Sequence, residues 1–242
     1  MTKRLVTAVL LTLLGAGILA SYFLANNAWK ELDAAIFYFF NAKLVPGSRF
    51  GLLVAYTNVR AFDAISFIAM GLLYYYYFRR ADNAGRRLMI CLGVCMLLTG
   101  VLIKQCSGLI PIKHPSPTYF FDGANRVGDL VDFPVKSGDR NSFPGDHGMM
   151  LMVFAAFMAR YFGRRTFGLA ALLAVIFAMP RIMAGAHWFS DVYMGSLSIA
   201  CMVVSWILLT PASDRVAALL ERLMPAWFFP VGGSGMFGGK NR

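Results

Sequence analysis

Residues 166–191 read TFGLAALLAVIFAMPRIMAGAHWFSD: an apolar run carrying one arginine, Arg181, then a Gly185-Ala186 turn, then His187 and Asp191 where a second apolar run begins. The hydrocarbon core of a bilayer is about 30 Å thick and takes roughly 20 apolar residues per helical crossing. A backbone with no water around it must satisfy its own hydrogen bonds, which selects helices for such runs. The stretch is therefore expected to be two membrane helices back to back, with an arginine, a histidine and an aspartate gathered where they meet.

The same criterion applied outward gives six expected spans, at about 5–24, 61–78, 88–110, 148–162, 166–184 and 191–210. Composition agrees, since 58% of the 242 residues are hydrophobic and only 14% are charged, more apolar than a soluble domain of this size. The fold class expected is all-α: a polytopic six-helix membrane bundle forming one domain over residues 1–225, with 226–242 as a flexible cytoplasmic tail.

Lys and Arg resist translocation, so basic connections mark the cytoplasmic side. Lys3 and Arg4, then Arg79, Arg80, Arg86 and Arg87, then Arg160, Arg164 and Arg165, then Arg215, Arg222, Lys240 and Arg242 all fall on one side of the six-span scheme. Both termini are thereby expected in the cytoplasm, with Tyr74–Tyr77 as an interfacial aromatic belt. A cleaved signal peptide is the competing reading of the N-terminus, but its removal would put the remaining spans out of register with the charges.

The net charge of +11 invites a nucleic-acid reading, yet most of the basic residues are accounted for by topology, and no nucleic-acid partner is expected. Lys104, Lys113, Arg126, Lys136, Arg140 and Arg181 remain near the external connections, where they suit a lipid phosphate. Cys91, Cys95, Cys106 and Cys201 form no framework and read as small core residues. The external segments are 26–60, with a short surface helix expected over 32–44, and 111–146, too long for a simple turn.

All three histidines, His114, His147 and His187, fall in external segments or at a span's outer edge. In Arg181-x5-His187-x3-Asp191, the arginine supplies a planar fork of donors for phosphate oxygens. His187 and Asp191, four apart, would share a helix face, so that the carboxylate keeps one ring nitrogen protonated and leaves the other free to attack. Ser142-Phe143-Pro144-Gly145-Asp146-His147 runs into the fourth span. Its backbone N–H groups, from Gly145 and Asp146 onward, would face an anion at a helix start, and His147 would protonate a departing oxygen. Asp146, a carboxylate beside that anion, is expected to raise the pKa of His147 and keep it protonated. Lys104, Lys113 and His114 are further candidates for phosphate contact.

In this order and on one side of the membrane, the three elements resemble the type-2 phosphatidic acid phosphatase (PAP2) family, whose pattern is Lys-x6-Arg-Pro, Pro-Ser-Gly-His and Ser-Arg-x5-His-x3-Asp. The third element matches from Arg181 onward, with Pro180 in place of the serine. Gly145 and Asp146 replace the Ser-Gly of the second. Seven residues after Lys104 stands Pro111, and the nearest basic-Pro pair is His114-Pro115, so Lys113 and His114 are both open for the arginine's role. The resemblance implies a PAP2-type helical bundle and a phosphohistidine at His187, with Asp191 orienting it, His147 as general acid, and neither metal nor cofactor.

Ile36–Val45, Ala61-Phe62-Asp63, Ser142–Met152 and Gly185–Phe189 look like the lipid A phosphotransferase branch of that family. That implies undecaprenyl diphosphate as donor, the 1-phosphate of lipid A as acceptor, surrounding membrane lipids as partners, and a site on the periplasmic face of a Gram-negative inner membrane. Two other functions compete. A lipid phosphate phosphatase would use the same residues with water as acceptor, and a non-catalytic lipid-phosphate binder or transporter would not need the His187–Asp191 pair.

Overall fold

In a computed structural model, which describes residues 2–225 and 227–230, the chain is all-helical, with no strand among the described residues. Five helices are long and apolar enough to cross a membrane: α1 (Thr2–Leu24), α4 (Arg60–Arg80), α5 (Asn83–Ser107), α8 (Arg164–Met183) and α9 (Asp191–Leu209). Between them lie α2 (Asn26–Asn41), α3 (Arg49–Tyr56), the four-residue α6 (Pro117–Phe120) and α7 (Asp146–Phe162), and α10 (Ala212–Leu223) follows. Most of the expected tail, at 226 and 231–242, lies outside the described residues.

The expected span at 148–162 is α7, and it differs from the other five. It has 17 residues, about 25 Å at 1.5 Å per residue, short of a full crossing. It begins at the polar Asp146-His147 pair and stops at Gly163, whose φ of +89° breaks the helix before α8. Its face explains its place: Met149, Leu151, Val153, Phe157 and Met158 are almost wholly buried. It is the inner helix of the bundle, packed against α5, α8 and α9.

Around it the usual polarity of a globular protein is inverted. Leu10, Leu13 and Leu14 of α1, Phe67 and Leu72 of α4, Leu97 and Val101 of α5, and Leu169 and Leu172 of α8 are all exposed. An apolar belt of that extent suits lipid rather than water. The core joins Cys91, Cys95 and Ile103 of α5 to Met149, Val153 and Phe157 of α7 and Ile199, Val204 and Leu208 of α9. The cysteines are free thiols, two of them packed in this core.

Helix order alone puts the chemistry at one end. α5 runs toward Lys104, α8 runs toward Arg181, and α4, α7 and α9 start at Arg60, Asp146 and Asp191. The basic turns Arg79–Arg87 and Arg160–Arg165 are at the other end. Among those arginines Arg87 is structural. It is buried, donates to the carbonyls of Glu221, Met224, Pro225 and Phe228 and so satisfies the last turn of α10.

The expected surface helix is α2, but its inner face is buried through Asp33, Phe37 and Asn41. Asn41 exchanges hydrogen bonds with Asn125, and Asp33 reaches Ser190, so α2 covers the site end. α1 crosses α9 closely, where a Cβ on Gly15 would lie 2.6 Å from the Ser198 carbonyl oxygen. Gly15→Leu should therefore cost about 1–3 kcal/mol by overpacking, read as a lower melting temperature in detergent. Gly17→Leu, which meets open space, should melt as the parent does.

Candidate active site

α8 ends in a Schellman turn, and this accounts for the spacing Arg181-x5-His187. Gly185 takes the left-handed conformation at φ +67°, Gly185 N–H donates to Ile182 O, and Ala186 N–H donates to Arg181 O, the 5→2 and 6→1 bonds of that motif. A side chain at Gly185 is ruled out twice over, by φ and by Phe37 at 2.7 Å from any Cβ. The reversal also brings His187 N–H onto the Arg181 carbonyl at 3.1 Å, so both side chains face the same space.

The x3 spacing to Asp191 has a second cause. His187 lies before the helix, not on it as the spacing suggested. A helical turn at residues 189–190 leads into α9, and Asp191 Oδ2 accepts from the Trp188 N–H at 2.9 Å, so that Trp188 caps this turn and Asp191 reaches back from three residues on, half of a capping box. His187 Nδ1 lies 2.9 Å from Ser142 O and 3.5 Å from Asp191 Oδ2. Two acceptors on Nδ1 place the proton there and leave Nε2 free. The carbonyl is the nearer partner, one that the sequence did not disclose.

The first turn of α9 is a wide π turn over Asp191–Ser196, a form that is rare and frequently found at functional sites. The Asp191 carbonyl there accepts from Gly145 N–H at 3.4 Å and Ser196 Oγ at 3.3 Å. Gly145 is thus turned toward α9 instead of offering its N–H to an anion, a correction to the phosphate contact expected of it.

Beside His187 is a cavity of about 420 Å³ whose wall includes Lys104, Lys113, Lys136, His147, Arg181 and His187. Arg181 is buried and held in place: Nη1 donates to Asn58 Oδ1 at 3.1 Å and Nη2 to Asp63. Asn58 is fixed in turn, its amide donating to Val54 O and Pro180 O. Lys136 bonds the other oxygen of Asp63 at 3.2 Å, and Lys104 bonds Asp146 at 2.9 Å. Among the described residues no group of three or more His, Cys, Asp or Glu side chains is arranged to hold a metal ion; the cavity's positive charge comes from Lys and Arg.

Residues 103–215 match the PAP2 superfamily. Over 228 residues, 93% of this chain and 96% of the other, the sequence is 45% identical to lipid A 1-diphosphate synthase of Escherichia coli (strain K12). The chain belongs to the PAP2 superfamily. No solved structure matches it.

Within this PAP2 site the structure brings together Arg181, His187, Asp191, His147, Lys104 and Lys113, as the sequence suggested. Besides that of Gly145, two expected roles change. His114 is not among the residues that line the cavity; its Nε2 lies 3.4 Å from Asp191 Oδ1. Asp146 does not raise the pKa of His147, because its charge is taken up by Lys104; burial instead pushes His147 below its ordinary value, opposed by the nearby negative charge of Asp63. Sequence reasoning gave no role to Asn58, Asp63 or Asp33. Asp63 had a signal, since a carboxylate at the edge of an apolar span needs a cation. Asp33 is buried against Ser190, and that burial pushes its carboxyl up to about 6.

With only three histidines in the chain, NMR of labelled imidazoles can follow His147 directly. Asp146→Asn should leave its titration midpoint at the parent position. Asp63→Asn, which removes the negative charge favouring the protonated form, should move that midpoint to lower pH.

Proposed function

We propose that the chain is a lipid phosphotransferase that moves the distal phosphate of undecaprenyl diphosphate to the 1-phosphate of lipid A, giving lipid A 1-diphosphate and undecaprenyl phosphate. The observation that carries this is His187, with Nδ1 engaged by Ser142 O and Asp191 and Nε2 left for a cavity walled by four cationic side chains. The extent of the identity to lipid A 1-diphosphate synthase supports the choice of acceptor, and the lipid A branch resemblance supports the donor.

The chemistry runs in two displacements. His187 Nε2 attacks the distal phosphorus, the bond to the bridging oxygen breaks, and undecaprenyl phosphate leaves with a proton from His147. An oxygen of the lipid A phosphate then attacks the phosphorus of the phosphohistidine, the bond to His187 Nε2 breaks and frees the imidazole, and neutral His147 takes up the proton of the attacking oxygen. Burial keeps His147 a readily spent acid, while the arriving diphosphate favours its protonated form. Arg181, fixed by Asn58 and Asp63, stabilises charge developing on the transferred group without reorganising; Lys104 and Lys113 are placed to share it.

An apolar cavity of about 540 Å³ between α4, α5 and α7, lined by Phe67, Met70, Leu97 and Met150, ends at Asp63 and His147. That this cavity and the polar one both reach His147 supports a lipid substrate. Counting α7 as the sixth span gives one domain over residues 1–225, with both termini in the cytoplasm and the site at the periplasmic face of a Gram-negative inner membrane. The basic turns, all at the opposite end of the bundle, support that orientation.

The test uses purified protein with undecaprenyl diphosphate labelled on its distal phosphate and lipid A. Label is expected on lipid A. Label released only as inorganic phosphate would replace the transferase by a phosphatase with the same site, and label left on the donor would count against either. His187→Ala should abolish transfer, and Asp191→Asn should leave on the order of 10⁻⁴ of the parent rate, with the imidazole in the wrong tautomer.

A further inference from the structure

The Asp191 carboxylate is wholly buried, and among the described residues the only basic side chains within 4 Å of its oxygens are two histidines. Oδ2 is occupied by the Trp188 N–H and approached by His187. Oδ1 faces His114 Nε2 at 3.4 Å, and neither of these two buried atoms has a hydrogen-bond partner. A second buried carboxylate, Asp33, stands close enough for the charge of Asp191 to disfavour its own ionisation. Asp191 needs a donor on Oδ1, and His114 is the group aimed at it.

His114 also reaches the other partner of the proposed nucleophile. Its carbonyl accepts from Ser142 N–H at 3.0 Å, and its Nδ1 lies 3.4 Å from Ser142 Oγ and 3.4 Å from Pro115 O. Ser142 is the residue whose carbonyl holds His187 Nδ1. The segment is anchored in turn by the indole N–H of Trp188, which donates to Pro115 O at 2.7 Å. One residue thus braces both acceptors that set the tautomer and orientation of His187, while standing outside the cavity wall.

We propose that His114 is a positioning residue: with a proton on Nε2 it donates to Asp191, and through Asp191 and Ser142 it fixes the ring of His187 without touching phosphate. The proposal rests on the reading of His187 as the nucleophile. It replaces the phosphate contact that the basic-Pro pair suggested, and it assigns the segment around His114-Pro115 to the nucleophile's support.

His114→Gln and His114→Asn test it as a pair. The glutamine amide places a donor where Nε2 stands, and the asparagine amide places one where Nδ1 stands. Both leave the backbone bonds to Ser142 in place. The readout is single-turnover phosphorylation of the protein by labelled undecaprenyl diphosphate over a range of donor concentrations, with detergent melting curves to confirm folding and His187→Ala alongside. His114→Asn should lose between about 10- and 100-fold in maximal rate with half-saturation unchanged, and His114→Gln should recover most of that loss.

A rise in half-saturation at an unchanged maximal rate would show a phosphate contact and overturn the proposal. So would equal losses in the two folded variants, or none in either. If one variant does not fold, His114→Phe takes its place, with a loss of maximal rate expected and an unchanged rate overturning the proposal. Phosphorylation persisting in His187→Ala would instead sink the nucleophile assignment, which separates the two failures.

Discussion

A carboxylate with no access to water sets most of the constraints at this site. Leaving a buried charge without partners costs several kcal/mol even after relaxation, and Asp191 meets that cost with local and distant groups. The Trp188 N–H and the N-terminal end of α9 are local and favour negative charge. His187 arrives by the turn that ends α8, and His114 arrives from the long connection after α5. Satisfying one side chain therefore requires α8 to stop at Gly185, the turn leading into α9 to be capped at Trp188, and the 114–116 and 142 segments to lie together. Asp33 and Ser190 bind α2 to the same place.

The opposite wall is organised differently. Three of its four cations, Lys104, Lys136 and Arg181, are paired with carboxylates, and exposure separates the pairs by strength. Lys104 and Asp146 have side chains 68% and 58% exposed, and an exposed pair is worth roughly 0–1 kcal/mol. A phosphate can take Lys104 from Asp146 at little cost. Arg181, 5% exposed and gripped by two partners, stays where it is. The cavity thus combines one fixed guanidinium with amines on longer, freer stems, suited to a group whose charge shifts between its oxygens during transfer.

Much of this was legible from residue spacing because the deciding interactions are local. Gly185 after an apolar run announces the stop of α8, and Asp191 three residues beyond Trp188 announces the start of α9. Arg181 and His187 follow on either side. Apolar run length found the five long helices, but it made α7 look like them. What distinguishes α7 is burial by its neighbours, a property of the bundle and not of the run. The pairings missed were those made at a distance: Asp63 with Arg181 across 118 residues, Asp33 with Ser190 across 157, and His114 with Asp191. Asp146 was misread for the same reason, since its effect on His147 depends on Lys104, 42 residues away.

In the proposed mechanism, Asp191 and Ser142 present His187 Nε2 as the atom that receives the phosphoryl group. Its most direct test omits the acceptor: undecaprenyl diphosphate is added to the purified protein, the reaction is quenched in alkali, where phosphohistidine survives, and the modified residue is located by mass spectrometry. The expected result is a phosphoryl group on His187 that disappears when lipid A is added. Phosphate found on another residue, or complete transfer to lipid A with no protein ever labelled, would contradict it.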